Sequence, residues 1–433
     1  MDGFLPTFIR RKQTPPRSRE TAFDQPALPF LSPSRVVIPL QETPQSSYRC
    51  LVKARDEVKA GQKIGDRGDP PFQLSVHATI SGRVQEVDSH PSPHGYHVAS
   101  VVIESSGHED VIEKLSPKPG AEEKMEVLLE AGIPLDYKKL AGNQLDTLLV
   151  NGTEFEPTLT VHHQIIWEMA SQVVGGLQAL MKIFSIPQAV ICLEGGEARL
   201  IRALEEALKD SKGILLHPVS KSYPPTGELV LIEKVLKKGN GSSSARAMGV
   251  EIASLPAVYQ AIYQRTPFVE RTITVSGSGV PHPRNMKVRV GTPFGEIISQ
   301  CGGDLENLTQ IIMGGALMGI SQPTSQAPVT QRTTGILALV SLNLTRGHQS
   351  RMYQEGPCVR CAKCVDRCPV SILPNVIGAY CRKNRFAEAI EKGLFVCIDC
   401  GLCSYVCPAR IPLGEIFKEA KSRGGFRGRE ENT

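Results

Sequence analysis

CVRCAKCVDRCP, residues 358–369, and CIDCGLCSYVCP, residues 397–408, are two copies of one pattern, Cys-x2-Cys-x2-Cys-x3-Cys-Pro. Iron that holds bridging sulfide needs soft thiolate donors, and four cysteines satisfy one cubane. The x2 spacings let three successive thiolates wrap one cube. By the fourth cysteine the chain has turned away, so that thiolate serves the cube of the other run. The spacing therefore predicts two [4Fe–4S] clusters. One sits on Cys358, Cys361, Cys364 and Cys407, the other on Cys397, Cys400, Cys403 and Cys368. Pro369 and Pro408 stop the chain from continuing as a helix that would misplace the last thiolate. Structural zinc is the competing reading, but zinc ribbons use separated CxxC pairs and need no further cysteines at these spacings. Between the runs, VIGAYCRKNRFAEAIEKG has a helical pattern, with Cys381 expected in core packing. Two clusters in series form a wire for electrons.

Outward from this region, the chain is organised as several modules. At 433 residues it exceeds one ordinary core, so two to four domains are expected. Residues 1–33 read as a polar, Pro-rich extended arm. Residues 34–110 hold short β-like runs broken by turns (RVVIPL, CLVKA, QKIGD, HATISGRVQEV, VASVVIES), the build of a small barrel of the biotinyl/lipoyl type. The lysine that such modules modify is absent, so the module is read as structural. From 125 to 270, the buried-strand runs LDTLLVNG and AVICLEG alternate with the helical VHHQIIWEMASQVVGGLQALMKIF and ARLIRALEEALKD. Glu205 and Lys209 are spaced to pair on the second of these helices. A third helix, LIEKVLKKGNG, precedes a flexible loop, GNGSSSARAMG. Strand–helix alternation predicts an α/β domain with a largely parallel sheet. Residues 271–344 (TITVSG, KVRVGTPFGEIISQCGG, TQIIMGGALMG, GILALVSLNL) alternate strands with one helix in a β-grasp-like order. A linker, TRGHQSRMYQEG, leads into the cysteine-rich domain at 350–418, which resembles an α-helical ferredoxin, and residues 419–433 form a basic tail.

The net charge of +5 is modest and concentrated in Arg10-Arg11-Lys12 and in Lys421 to Arg429, which reads as solvated, partly disordered ends. No nucleic-acid partner is expected; docking on an anionic membrane face or an acidic redox partner is the weaker alternative. No stretch approaches the ~18 apolar residues of a membrane span, and the N-terminus lacks the apolar region of a secretory signal. Cysteines grouped in metal-type runs point to a reducing compartment, the cytoplasm. His162 and His163 have no matching ligand pair and are expected in surface or capping roles. GGALMG (Gly314 to Gly319) lacks the Lys-Ser/Thr of a P-loop and reads as a β-grasp turn.

These motifs together resemble the RnfC family over nearly the whole chain. RnfC is the peripheral cytoplasmic iron–sulfur subunit of the Rnf ion-translocating ferredoxin oxidoreductase and is related to the flavoprotein subunit of complex I. VKAGQKIG and SVHATISGRV are similar to its N-terminal domain. VSGSGVPHPRNMKVRVGTPFGEIISQCGG, IIMGGALMGISQP and PVTQRTTGILAL are similar to its SLBB β-grasp domain, and the two cysteine runs to its ferredoxin domain. The fold so implied is multi-domain α+β: barrel-sandwich module, α/β complex-I-flavoprotein-like domain, SLBB domain and α-helical ferredoxin domain. The function implied is electron transfer in a membrane-bound complex that couples it to ion translocation. The partners implied are other Rnf-type membrane and ferredoxin-like subunits and a soluble ferredoxin, with the chain held on the cytoplasmic face of the membrane.

The middle domain departs from the family. Where active members carry GxGGAGFPT against a flavin or nucleotide phosphate, this chain reads VLLEAGIPLDYKKL. Such a loop needs glycine because a Cβ blocks close approach. Of the motif only Ala131, Gly132 and Pro134 survive; the leucines at 128 and 129 would fill the phosphate space, and Glu130 would repel it. NGAECEP becomes NGTEFEP, with Asn151, Glu154 and Glu156 kept and Phe155 in place of Cys. Tyr223, Pro224, Gly227 and Glu228 of a family turn remain, and Ser254 stands where Asn is expected. Gly132, Asn151, Glu154 and Glu156 are thus the candidates of a degenerate flavin/NADH site that leaves room for FMN but is not expected to bind NAD(H). The alternatives are a soluble NADH-dependent FMN and iron–sulfur oxidoreductase subunit, of the cobalamin-reductase-like or methylenetetrahydrofolate-reductase-associated kind, or a non-catalytic adaptor that docks ferredoxin.

Overall fold

The computed structural model describes residues 25–29, 32–107, 111–116, 125–142, 145–154, 156–219, 223–224, 246–340 and 355–430, with side chains to Arg423. The chain divides into two compact units, one of residues 17–221 and 231–340, the other of residues 1–16, 222–230 and 341–433.

In the larger unit, the arm contributes β1 (Leu28–Pro29). The barrel module follows as β2 (Arg35–Pro39), β3 (Tyr48–Cys50), β4 (Glu57–Val58), β5 (Lys63–Arg67), β6 (Leu74–His77), β7 (Gly82–Pro91) and β8 (His97–Ser105). Two antiparallel sheets, in the orders β2-β8-β7-β4 and β3-β5-β6, enclose Val36, Ile38, Leu40, Ile64, Ile80, Val84, Val101 and Ile103. One strand is shifted from its sequence reading. CLVKA contributes only its first residue to β3, because Lys53 N–H turns to Asp56 Oδ2 at 2.9 Å.

The α/β domain begins with two short helices, α1 (Met125–Glu130) and α2 (Tyr137–Gly142). Then come β9 (Thr147–Asn151), α3 (Val161–Ile183), β10 (Gln188–Glu194), α4 (Ala198–Ala207), β11 (Ile214–Val219), β12 (Ala247–Glu251), a single 3-10 turn (Ile252–Ser254) and α5 (Leu255–Gln264). The sheet is wholly parallel, in the order β11-β10-β9-β12. Apolar runs such as Leu148 to Val150 and Ala189 to Leu193 are buried on both faces, as parallel strands covered by helices must be. The order reverses at β9, so its carboxyl end beside that of β12 is the crevice where such sheets take ligands. At the end of α4, Lys209 pairs with Glu206 at 2.6 Å instead of with Glu205, since a three-residue offset also shares the helix face.

β13 (Glu270–Ser276), β14 (Arg284–Arg289), α6 (Phe294–Gln300), β15 (Leu308–Met313), β16 (Ile320–Gln322) and β17 (Gly335–Val340) form the β-grasp domain, a sheet ordered β1-β14-β13-β17-β15-β16 over α6. Phe294, Ile297 and Ile298 of the helix fill its core. The arm residues Leu28 and Pro29 add a parallel edge to β14.

The smaller unit is helical: α7 (Lys363–Asp366), α8 (Pro374–Arg382), α9 (Phe386–Glu391), α10 (Leu402–Tyr405) and α11 (Leu413–Glu430). The segment between the cysteine runs, expected as one helix, is two. Asn384 adopts a left-handed φ of 54° and breaks it. Cys381 packs with Ile377, Leu394 and Phe417, as expected of a core residue. The basic tail continues α11 through Glu430. Arg10-Arg11-Lys12, Phe155, Gly227, Glu228, the helix LIEKVLKKGNG, the loop after it up to Ala245 and most of the 345–356 linker lie outside the described residues.

Candidate functional site

The cysteine runs fold as a repeat. Arg360, Ala362 and Ser371 of the first have φ of 53°, 58° and 56°; Asp399, Gly401 and Arg410, at the same offsets in the second, have 53°, 70° and 57°. The left-handed residues turn each chain so that successive cysteines face one space. Ala362 and Gly401 then start α7 and α10, which carry the third cysteines. After each fourth cysteine the chain turns back, with Ser371 N–H on Cys368 O at 3.3 Å and Arg410 N–H on Cys407 O at 3.0 Å.

Two cavities result. Cys358, Cys361 and Cys364 line the first together with Cys407, and Cys397, Cys400 and Cys403 line the second together with Cys368. The first encloses about 170 Å³. Among the described residues, no three His, Cys, Asp or Glu side chains converge on a point as ligands of a single ion do. The thiols instead surround a space, and a cubane takes one cysteine at each of four corners. The donor set of four thiols at each cavity fits that group. Burial pushes the Cys400 and Cys403 thiols up to about 12 and Cys397 up to about 11, and raises Cys364. A metal bound by these thiols would displace their protons. Tyr223 Oη donates to Cys400 O at 2.7 Å.

Of the flavin-type candidates, Asn151 ends β9 at the carboxyl edge of the parallel sheet and Gly132 follows α1; together they do not form a phosphate cradle. Leu128 and Leu129 point into the core instead of into a phosphate space. The amides of Ala131, Gly132 and Ile133 are all spent inside the end of α1, on Val127, Leu129 and Leu128 carbonyls at 2.8, 3.1 and 3.1 Å. A helix C-terminus also presents partial negative charge, the wrong sign for a phosphate. Gly132 has φ +75°, and an added Cβ would lie 2.4 Å from Ser75 O, so its glycine serves contact with β6. Asn151 Oδ1 accepts from Thr153 N–H at 3.0 Å and Oγ1 at 2.8 Å, a closed turn. Glu154 Oε1 accepts His163 N–H at 2.8 Å. Glu156 accepts Leu317 N–H at 3.1 Å and Met318 N–H, so the GGALMG turn is an anion cradle filled by the protein's own carboxylate.

His162 and His163 are buried, not on the surface. The reason is a network that no local pattern announced. His162 Nδ1 meets Thr153 O at 2.7 Å, its Nε2 lies 3.6 Å from Glu251 Oε1, and Arg271 Nη2 lies 3.7 Å from the same oxygen. Burial favours the neutral imidazole, but Glu251 and Glu154 outweigh it and hold His162 above its ordinary range. Burial likewise favours a neutral Glu251, and His162 with Arg271 overcomes it, holding that carboxyl below the usual carboxylate range. Ser254 ends the adjoining 3-10 turn and is buried. Glu251 ends β12 opposite Asn151 in register, a pairing that only the folded sheet reveals.

Known families match in the order of these modules. The RnfC barrel-sandwich hybrid domain matches residues 10–108, the Nuo51 FMN-binding domain 128–258, the SLBB domain 272–321 and the 4Fe-4S dicluster domain 351–408. The C subunit of the ion-translocating oxidoreductase complex of Rhodobacter capsulatus is 30% identical over 412 residues, covering 90% of this chain and 78% of its own. This chain belongs to the RnfC family. Other RnfC-type relatives agree. The C subunit of the Na(+)-translocating ferredoxin:NAD(+) oxidoreductase complex of Acetobacterium woodii is 29% identical, with 86% of each chain covered. The C subunit of the proton-translocating ferredoxin:NAD(+) oxidoreductase complex of Clostridium ljungdahlii is 28% identical, covering 83% of this chain and 81% of its own.

Proposed function

We propose that this RnfC-family chain is an electron-transfer subunit of an Rnf-type ion-translocating complex, relaying electrons through two [4Fe–4S] clusters without using NAD(H). The observation that carries the relay is the pair of cavities, each lined by three cysteines of one run and the fourth of the other. Cys358, Cys361, Cys364 and Cys407 would hold one cluster, and Cys397, Cys400, Cys403 and Cys368 the second. When bound, the clusters supply one-electron acceptor sites; the residues orient them and exclude water from the second more than from the first. The names of the relatives support a multi-subunit assembly at a membrane, and a chain whose described helices are none of them long and apolar enough to span would be held there by partner subunits, on the cytoplasmic face. The case against NAD(H) is the fit of the middle domain: its loop amides are internally bonded, and Glu156 fills the cradle that remains. The match to an FMN-binding domain leaves FMN a question for flavin analysis of the same preparation. Anaerobically purified protein is expected to carry about eight iron and eight sulfide per chain. Stoichiometric zinc without charge-transfer absorption would sink the relay.

A further inference from the structure

The two cysteine runs match in backbone but not in charge. Arg360 and Asp399 hold the same place, one residue before the second cysteine, with the same φ of 53°. Arg360 lines the first cavity and Asp399 the second. The other charged side chains lining the first cavity are Arg382 and Glu355, which pair with each other, so Arg360 leaves it an excess positive charge. Asp399 is the charged residue lining the second, with Oδ1 3.7 Å from Cys397 Sγ. Lys421 of α11 stands behind it, donating to Asp399 Oδ2 and to Cys397 O, each at 2.7 Å. The lysine offsets the carboxylate and brings the second site back toward neutrality. Exposure differs in the same direction. Cys358 and Cys361 are exposed, whereas Cys368 and Cys400 are buried.

Reducing a cubane adds one negative charge to a group that is already anionic. Nearby cations and water stabilise the added charge, and burial and carboxylates oppose it. We infer that the domain is electrically polarised by Arg360 and Asp399, so that the cluster of the Cys358 run has the higher potential and is where an electron comes to rest. The inference rests on the two-cluster reading above. In the step it describes, one electron from a low-potential donor leaves the cluster of the Cys397 run oxidised and the cluster of the Cys358 run reduced, with no proton transferred.

The test is a dithionite titration of the anaerobic, cluster-loaded full chain followed by electron paramagnetic resonance, with Cys358→Ser and Cys397→Ser assigning the signals. The signal lost in Cys358→Ser is expected to appear at the higher potential. Arg360→Asp keeps the backbone, since Asp already occupies that φ in the other run, and should move that signal to lower potential while leaving the other in place. Lys421→Gln should lower the midpoint of the signal lost in Cys397→Ser. The polarity is overturned if the Cys397-run signal is reduced first, or if Arg360→Asp moves neither midpoint. A preparation with about four iron per chain would remove the two-cluster reading itself; about eight iron with the order inverted removes the polarity alone.

Discussion

Glu156 shows how a buried carboxylate can be met by backbone amides from far along the chain. It stood with Glu154 as a candidate for a flavin edge, yet its carboxylate holds the amides of Leu317 and Met318, far along the chain. Gly315 makes the approach feasible: a Cβ there would lie 2.5 Å from the Glu156 side chain. Gly315→Ala and Glu156→Ala are therefore each expected to lower stability by about 1 kcal/mol, the cost of leaving part-buried amides without their carboxylate partner. Equilibrium urea unfolding measures it, and two wild-type-like midpoints would show the bond to be idle. The cysteines were legible because ligand spacing is local. The fourth cysteine of each run lines the cavity of the other run, and a sharp expectation follows. Cys368→Ser should damage the cluster whose signal Cys397→Ser also removes; loss of the Cys358-run signal instead would reverse the assignment.

At the scale of elements, alternating apolar runs located most strands and helices, and the errors have local causes. Asn384 breaks a helix by adopting a left-handed conformation, which its neighbours in sequence do not reveal. Residues around α1, read as a spoiled glycine loop, turn their leucines inward and spend their end amides within the helix end. A property of β6 could not be read at all. His77 is buried in the barrel module, and burial lowers its pKa from 6.5 to about 4. Between those values the unfolded chain binds a proton that the folded module refuses. The contribution is thus complete above pH 6.5 and falls as pH drops toward 4, by on the order of 3 kcal/mol. Unfolding midpoints of wild type and His77→Gln measured across this window should diverge in slope, the variant being less acid-sensitive. Parallel curves would assign the acid sensitivity elsewhere.

For the whole molecule, the order of modules was legible from motifs, while the network joining His162, Glu251 and Arg271 was not, because it draws on β12, α3 and β13 at once. Two expectations belong to this scale. Titrating the anaerobic protein with NADH should leave the cluster absorption unbleached; prompt reduction at micromolar NADH would mean that the middle domain binds the dinucleotide by contacts other than a phosphate cradle. If partner subunits hold the chain at a membrane, as proposed above, a high-salt or mild alkaline wash should release it, since no described helix is long and apolar enough to cross a bilayer. Retention through carbonate extraction would contradict attachment through partner subunits.

The exchange of Cys368 and Cys407 between the two cavities has a consequence for biogenesis. On the proposed ligand sets, a ribosome that has delivered the whole first run has still not delivered the last ligand of its site, so the second centre would wait for Cys403 and the first for Cys407. Two clusters held by these ligand sets would be interlocked like links of a clasp. Oxidative loss of iron from one frees a cysteine arm that anchors the other, and damage should spread through the pair instead of stopping at half.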